Sequence, residues 1–550
     1  MSSSSISIEP TAVHLSSANG QQIKCYGESS LEVKIPHLRR AFRWTFIIAD
    51  TTHALLGIDF LAHFNLMIDC KQMKLVDRTT SQASPIFQIS TEASPIIVND
   101  LKGLPIKAQD VLKLFPRLIR PRTGPCSVEN KKVFHRIDTG DANPTFCKRR
   151  QLAPDKKVIA EEEFKKLIND GIIRPSKSPW SSPLHLVPKR TPGEWRPCGD
   201  YRQLNNVTKP DRYPVPHIHD VAGSLHGNKV FSRLDLVKAY NQIPVHPSDV
   251  PKTAVATPFG LYEWLFMPFG LRNAGSTFQR FIDNLFIDVS CVFIYMDDIL
   301  VFSKDEMQHY HDLCTVLTIL DDNDLRVSLG KCIFFADEVD FLGFNLSCAG
   351  MKPSANKIYS INNFPEPNDT KSLRSFLGLI NYYRHLVPNY ANIVMPLSEL
   401  ARLNPSSKAL SLSESERQSF LNIREILSNI AELAHPKPSV TSFQLVTDTS
   451  QYAIGAALHQ IIDNKPIPIG FFSKKLSQQQ RKYSTFDREL LAAYMSVLHF
   501  KHLIIGRQIT LFTDHRPLQS AFRCDKPPKS DRQQRHLSLI SEYVSDVQYV

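Results

Sequence analysis

Residues 291–303 read CVFIYMDDILVFS: two apolar, β-prone runs flanking a pair of adjacent carboxylates, Asp297 and Asp298. A hairpin turn accounts for one Asp, because its side chain can bond its own backbone. It accounts poorly for two, since adjacent like charges repel unless a cation lies between them. A third acid, Asp235, sits in another apolar strand, FSRLDLVKAYNQIPV (231–245), where KAYNQIPV reads as the strand's continuation. Two such strands side by side would gather three hard oxygen ligands, the donor set that suits Mg²⁺ and leaves room for substrate phosphates.

Outward from this centre, the sequence reads as several folded units. Its 550 residues exceed a single core and predict about three to four domains. Hydrophobic residues at 42% and charged residues at 22% exclude disorder and collagen-like structure as the main state. No apolar run approaches the roughly 18 residues of a membrane-spanning helix. The start, MSSSSISIEP, has neither the basic nor the apolar region of a secretory signal. A net charge of +11 permits a polyanionic partner without identifying one. The ten cysteines form no Cys-x-x-Cys pair, which argues against a disulfide scaffold or cysteine zinc site and for a reducing, intracellular compartment. The clusters HIHD (217–220) and HYHD (309–312) lack metal spacing and read as surface or helix histidines.

Ahead of the centre, LEVKI (31–35) alternates and RWTFIIAD (43–50) is an apolar strand, while Ser and Pro recur through 81–130 as in a linker or extended arm. PDKKVIAEEEFKKLINDGIIRP (154–175) predicts an amphipathic helix ending at Gly171, with Val158, Ile159, Phe164, Leu167 and Ile168 on one side. ATPFGLYEWLFMPFG (256–270) predicts a hairpin, and NAGSTFQRFIDNLFIDV (273–289) a helix. Residues 305–330 and 370–435 read as helical.

The motifs HRIDTGDANP (135–144), IIRPSKSPWSSPLHLVPK (172–189), WRPCGDYRQLN (195–205), RLDLVKAYNQIPV (233–245), MPFGLRNAGSTFQRFID (267–283), YMDDILVFS (295–303), FLGF (341–344) and SLRSFLGLINYYRHLVPNYA (372–391) follow one another in order. From about 131 to 550 the chain thereby resembles the reverse transcriptase–ribonuclease H region of gypsy-type long-terminal-repeat retrotransposon polyproteins. The resemblance implies a multidomain α+β fold: a right-hand polymerase followed by an RNase H-like α/β domain. Residues 131–345 would form fingers and palm, 346–435 thumb and connection, and 436–550 the RNase H-like domain.

The resemblance also assigns roles. Asp235 and Asp297 would hold two Mg²⁺, or Mn²⁺ in its place, with Asp298 supporting and partly ligating. Lys189 and Arg196 would meet the incoming triphosphate, where arginine's fork suits phosphate oxygens. Tyr240 would be the aromatic gate that rejects a ribose 2′-hydroxyl. Phe269 and Gly270 would line the nucleotide pocket, Gln279 would support it, and Phe341, Leu342 and Gly343 resemble the primer grip. The implied partners are an RNA template, a DNA primer, RNA–DNA hybrid and dNTPs, in a cytoplasmic retroelement particle. A decayed or host-adopted nucleic-acid-binding remnant is the alternative, and the intact acids favour the enzyme.

A second set of acids follows. Asp448 ends the alternating run SFQLVTDTS (442–450), Glu489 lies in the helical STFDRELLAAYMSVLHF (484–500), and Asp514 closes QITLFTD (508–514). Strand, hairpin, Glu-bearing helix and strand ending in Asp resemble retroelement RNase H, whose acids bind a pair of divalent ions to cut RNA. A fourth acid is expected after the strand YVSDVQYV (543–550), but the chain stops at Val550 and Asp546 lies inside that strand, so an incomplete nuclease is expected. Residues 1–80 resemble the last part of a retropepsin-like, all-β protease, LLGIDFLAHFNLMIDC (55–70), with Asp59 a structural acid before the helix and no catalytic Asp-Thr/Ser-Gly upstream. The DTG at Asp138–Gly140 belongs to the polymerase and is a decoy, so proteolysis is not expected.

Overall fold

The structure, a computed structural model, describes residues 15–16, 22–23, 25–35, 38, 41–49, 56–69, 74–80, 82–85, 104–119, 133–188, 195–216, 218–406, 409–523 and 530–550. The chain divides into two compact units, 1–97 and 98–550. In the first, strands Cys25–Lys34 and Ala41–Ala49 form an antiparallel pair, helix Ile58–His63 follows, and strands Leu66–Asp69, Lys74–Asp77 and Gln82–Pro85 make a three-stranded sheet. Its core is a small aromatic cluster around Phe42 and Phe60, both without exposure. Asp59 falls in the first turn of the helix rather than before it.

The second unit is built on four sheets. Residues 104–119, expected within a linker, instead hold helices Ile106–Lys113 and Pro116–Ile119. Ala108, Val111, Leu112 and Leu118 are fully buried, and the Val327 amide donates to the Leu118 carbonyl at 3.0 Å. Each large apolar side chain so buried contributes about 1.5–3 kcal/mol, which outweighs the segment's proline content.

Helix Pro154–Asn169 forms where its periodicity predicts, with Pro at its first turn, but the inward face is Ala160, Phe164 and Leu167. Val158 and Ile168 point outward, so the buried stripe is narrower than the five-residue face expected. It lies by a five-stranded sheet containing Ser182–Pro188, Trp195–Gly199 and the expected hairpin, Val255–Thr257 with Gly260–Trp264.

The central sheet has the order Val292–Tyr295, Asp298–Ser303, Val230–Asp235, Ile333–Ala336, so both acid-bearing strands lie side by side. Helix Glu306–Asp322 packs beside them, and helix Ala274–Leu285 contacts the Val292–Tyr295 strand. The strand expected through KAYNQIPV ends early. Lys238 turns left-handed (φ 44°), and Ala239–Gln242 becomes a 3₁₀ turn. Strands Glu338–Phe341, Phe344–Ser347, Gly350–Pro353 and Leu433–Ala434 form the third sheet, which shares a core with the helices between 355 and 428.

The last sheet runs Lys465–Lys475, Ala453–Ile462, Ser442–Thr449, Gln508–Thr513, Asp546–Tyr549. Ser442–Thr449 and Gln508–Thr513 are parallel and linked through helix Thr485–Ile504, which sets their carboxyl ends together. In open sheets of this kind ligands bind at that edge.

Candidate active sites

Asp235 and Asp298 are directly paired across the antiparallel ladder between their strands. Tyr295 pairs with Asp298 on the other side, leaving only Met296 and Asp297 to turn the chain. Met296 adopts a left-handed conformation (φ 53°), which projects Asp297 at the tip. All three expected acids therefore come to one end of the sheet. Burial raises the Asp298 pKa, and the charges of Asp297 and Asp235 raise it further against the opposing pull of Arg233 and Lys331. That imbalance of negative charge is what a divalent cation relieves.

Asp235 is also held by three groups that the sequence pattern did not single out. Lys331 Nζ lies 3.1 Å from its Oδ1, the Ser328 amide donates to its carbonyl at 2.8 Å, and its own amide faces Cys332 Sγ at 3.5 Å. Arg233, two residues earlier, reaches the Asp340 and Lys331 carbonyls at 2.6 and 3.1 Å. Nothing in the periodicity around GKC (330–332) marks Lys331, because the contact depends on the fold alone.

Beside the acids, Arg196, Phe269 and Tyr240 form a series. The Arg196 guanidinium sits 4.5 Å over the Phe269 ring, and Phe269 meets Tyr240 edge-on at 5.1 Å. Burial raises the Tyr240 pKa, with Asp297 and Tyr295 adding to it, and its hydroxyl reaches Met296 Sδ at 3.4 Å. Gly270 has φ +94°, a conformation that L side chains rarely adopt, so the backbone there favours glycine. Gln279, expected to support the pocket from the following helix, lies in helix Ala274–Leu285. It has no exposure; its Oε1 accepts the Met296 amide at 2.7 Å, and its Nε2 donates to the Ile294 carbonyl and Asp283. It props the acid-bearing turn from beneath. Lys189 lies outside the described residues.

The second set gathers more tightly. Asp448, Glu489 and Asp514 bring carboxylate oxygens within 4.8 Å of one another, the one group of three such ligands among the described residues that does so. Asp448 and Asp514 are exposed, whereas Glu489 is 3% exposed. Thr449 Oγ1 donates to Glu489 Oε1 at 2.7 Å, but buried Glu489 Oε2 has no partner. Burial pushes the Glu489 pKa up to about 7, with Asp514 and Asp448 adding to the shift. An orphaned buried oxygen between two further carboxylates fits a divalent metal. Asp546 stays apart, bonded to Gln548 at 2.9 Å and 3.6 Å from Arg523.

Two other expectations resolve here. In the DTG at 138–140, Asp138 and Gly140 are exposed and Thr139 is buried; Asp138 accepts the Gly140 amide at 2.9 Å and pairs with Lys209 at 3.0 Å. In the HYHD cluster His309 is a helix histidine, in Glu306–Asp322, and faces inward rather than to the surface. It is fully buried, bonded to Ser232 and Ser303 at 2.7 and 2.9 Å, and burial lowers its pKa to about 4. The side chains of HIHD lie outside the described residues.

Comparison with known proteins agrees with this arrangement. Residues 187–346 match the family described as reverse transcriptase (RNA-dependent DNA polymerase), and 439–543 match the RNase H-like domain found in reverse transcriptase. The chain is 35% identical over 503 residues to the retrovirus-related Pol polyprotein from transposon opus of Drosophila melanogaster, covering 87% of this chain and 49% of that protein. It is 32% identical over 524 residues to the polyprotein from transposon gypsy of the same organism, covering 90% and 49%. It thus spans about half the length of these relatives. A foamy viral protease-reverse transcriptase solved in complex with dsDNA shares the fold, with TM-score 0.73, 18% identity, and coverage of 99% of this chain and 93% of that one. A second foamy viral structure, with RNA/DNA hybrid, gives TM-score 0.70, 18% identity, and 98% and 71% coverage.

Proposed function

The chain belongs with the gypsy-type retrotransposon Pol proteins and carries their reverse transcriptase and RNase H-like domains; from that premise we propose that it is an RNA- and DNA-templated DNA polymerase adding dNTPs to a primer 3′-hydroxyl. The observation that carries the proposal is the cross-strand pair Asp235–Asp298 with Asp297 at the adjoining turn tip. Bound divalent ions would supply charge neutralisation for the triphosphate and acidify the attacking hydroxyl.

The chain's own residues do the rest. Asp235 and Asp297 hold the cations, and Asp298 supports them. Arg196, steadied on Phe269, offers its fork to phosphate oxygens. Tyr240, fixed by Phe269 and Met296, closes the floor under the sugar so that a 2′-hydroxyl has no room. For the pyrophosphate side, Lys189 is proposed from the resemblance alone. Template and primer would bind through phosphate contacts, with affinity falling steeply with salt. The foamy viral proteins of the same fold, solved with dsDNA and RNA/DNA hybrid, support that substrate class.

In the RNase H-like unit we assign Asp448, Glu489 and Asp514 to divalent-cation binding; Asp546 does not join them. No helix among the described residues is long and apolar enough to cross a membrane. RNA-templated extension of a DNA primer, read beside Asp235→Asn, tests the polymerase reading. A protein that binds template-primer yet never extends it would be the non-catalytic remnant instead.

A further inference from the structure

Among the described residues, the left-handed positions that are neither Gly, Asn nor Asp are Lys238, Met296, Phe335 and Leu342. Lys238 and Met296 adjoin the catalytic strands, and Asn or Asp at the remaining sites tolerates the conformation. A left-handed Leu persists only where its surroundings over-determine it. Phe341 pairs with Phe344, so Leu342 (φ 49°) and Gly343 (φ 85°) alone form the turn between them, with positive φ at both positions. Asn-Gly adopts such a turn unaided; Leu-Gly does not.

Two consecutive tyrosines hold this turn, together with the Ser354 amide, which donates to the Gly343 carbonyl at 3.0 Å. Tyr382 Oη donates to the Leu342 carbonyl at 2.8 Å, and Tyr383 Oη donates to the Gly343 carbonyl at 3.0 Å. The fit is close: a Cβ on Gly343 would lie 3.1 Å from the Tyr383 hydroxyl. Tyr383 is 1% exposed, and Tyr382 is about half exposed with its ring 5.2 Å from Phe344. Both follow directly on helix Thr370–Asn381, which is anchored through buried Leu373, Phe376 and Ile380. On its other side the turn is tied to the catalytic strands. Phe341 packs on Phe293 at 6.0 Å, and Arg233 donates to the Asp340 carbonyl.

A strained, partly exposed turn whose strand is tied to the acid-bearing sheet through Phe293 and Arg233 presents backbone rather than side chain. That suits a strand whose sequence varies but whose sugar–phosphate does not. We propose that Tyr382 and Tyr383 are positioning residues: their hydroxyls clamp Leu342–Gly343 in its left-handed form so that the turn seats the 3′-terminal nucleotide of the primer. The inference rests on the polymerase reading above.

The test is a double-mutant cycle on the full chain, combining Tyr382→Phe or Tyr383→Phe with Leu342→Asn. Two readouts are taken: single-nucleotide addition, and the fluorescence of 2-aminopurine at the primer 3′ end on binding without dNTP. The Phe variants should melt cooperatively and bind duplex normally. They should slow addition about tenfold at saturating dNTP, with less than about a twofold change in dNTP KM, and blunt the terminal fluorescence change. With Leu342→Asn in place, both losses should shrink at least about threefold, because the turn no longer needs the clamp. Equal losses in the two backgrounds, or Phe variants matching the parent, would overturn the proposal. If the parent extends no primer, that result counts against the polymerase reading, and the fluorescence cycle still decides the clamp.

Discussion

Gln279 Oε1 accepts the backbone N–H of Met296 at 2.7 Å, so a side chain without solvent exposure fixes the turn that carries Asp297. A residue in that position acts on the geometry of the acids and not on nucleotide binding. Gln279→Leu should therefore lower kcat about tenfold or more while leaving dNTP KM within about twofold. It should also destabilise the fold by about 1–3 kcal/mol, because the Met296 amide loses its partner. Steady-state kinetics and urea unfolding check both; a change confined to KM would contradict this role.

Arg196 and Tyr240 should show the opposite kinetic signature. On the proposed role of Arg196 at the phosphates, Arg196→Ala should raise dNTP KM about tenfold or more. Tyr240→Ala opens the floor under the sugar and should raise incorporation of ribonucleotides relative to deoxyribonucleotides. Parallel titrations of dNTP and rNTP separate the two effects.

Glu489 makes stability depend on pH. Its folded pKa, about 7, lies above the ordinary carboxyl value, so the folded state holds the proton more tightly. The contribution is fully present below about pH 4.5 and is lost as pH rises through 7. Without metal, Glu489→Gln should raise the melting temperature of the RNase H-like domain by a few degrees at pH 8 and leave it unchanged near pH 4. Mg²⁺ should narrow the gap at pH 8 by stabilising the parent, which calorimetry with and without chelator measures.

Two glycines give a contrast in stability. A Cβ on Gly350 would sit 2.1 Å from the Leu433 carbonyl, in the strand pair that closes the third sheet. Gly350→Ala should cost about 3 kcal/mol or more, since backbone must move. Gly378, inside helix Thr370–Asn381, has nothing within 4 Å, so Gly378→Ala should stabilise by about 0.5–1 kcal/mol. Chemical unfolding of the two variants is the check.

Much of the site was legible because its determinants are local. The apolar runs flanking Asp297–Asp298 and the apolar strand around Asp235 suggested two strands that bring three acids together, and these strands pair. Asp448, Glu489 and Asp514 were readable from strand, helix and strand order, which brings them together at one sheet edge. What escaped depends on long-range contact. Lys331 reaches Asp235 across ninety-six positions, and the Tyr382 and Tyr383 hydroxyls each close on a carbonyl forty positions away. Helices at 106–119 hid within proline-rich sequence because their four buried apolar residues gain stability only against the central helix Glu306–Asp322 and its neighbours. The outward Val158 and the buried His309 show the same limit: periodicity marks a face, and the partner decides which part of it is covered.

The most direct measurement is Mg²⁺-dependent extension of a DNA primer on an RNA template by the parent and by the Asp297→Asn, Asp298→Asn double variant, with template-primer affinity measured for both. The account predicts extension by the parent, a loss of about a thousandfold or more in the variant, and binding retained in each. A folded parent that binds template-primer but adds no nucleotide, or a variant that extends as the parent does, would contradict it.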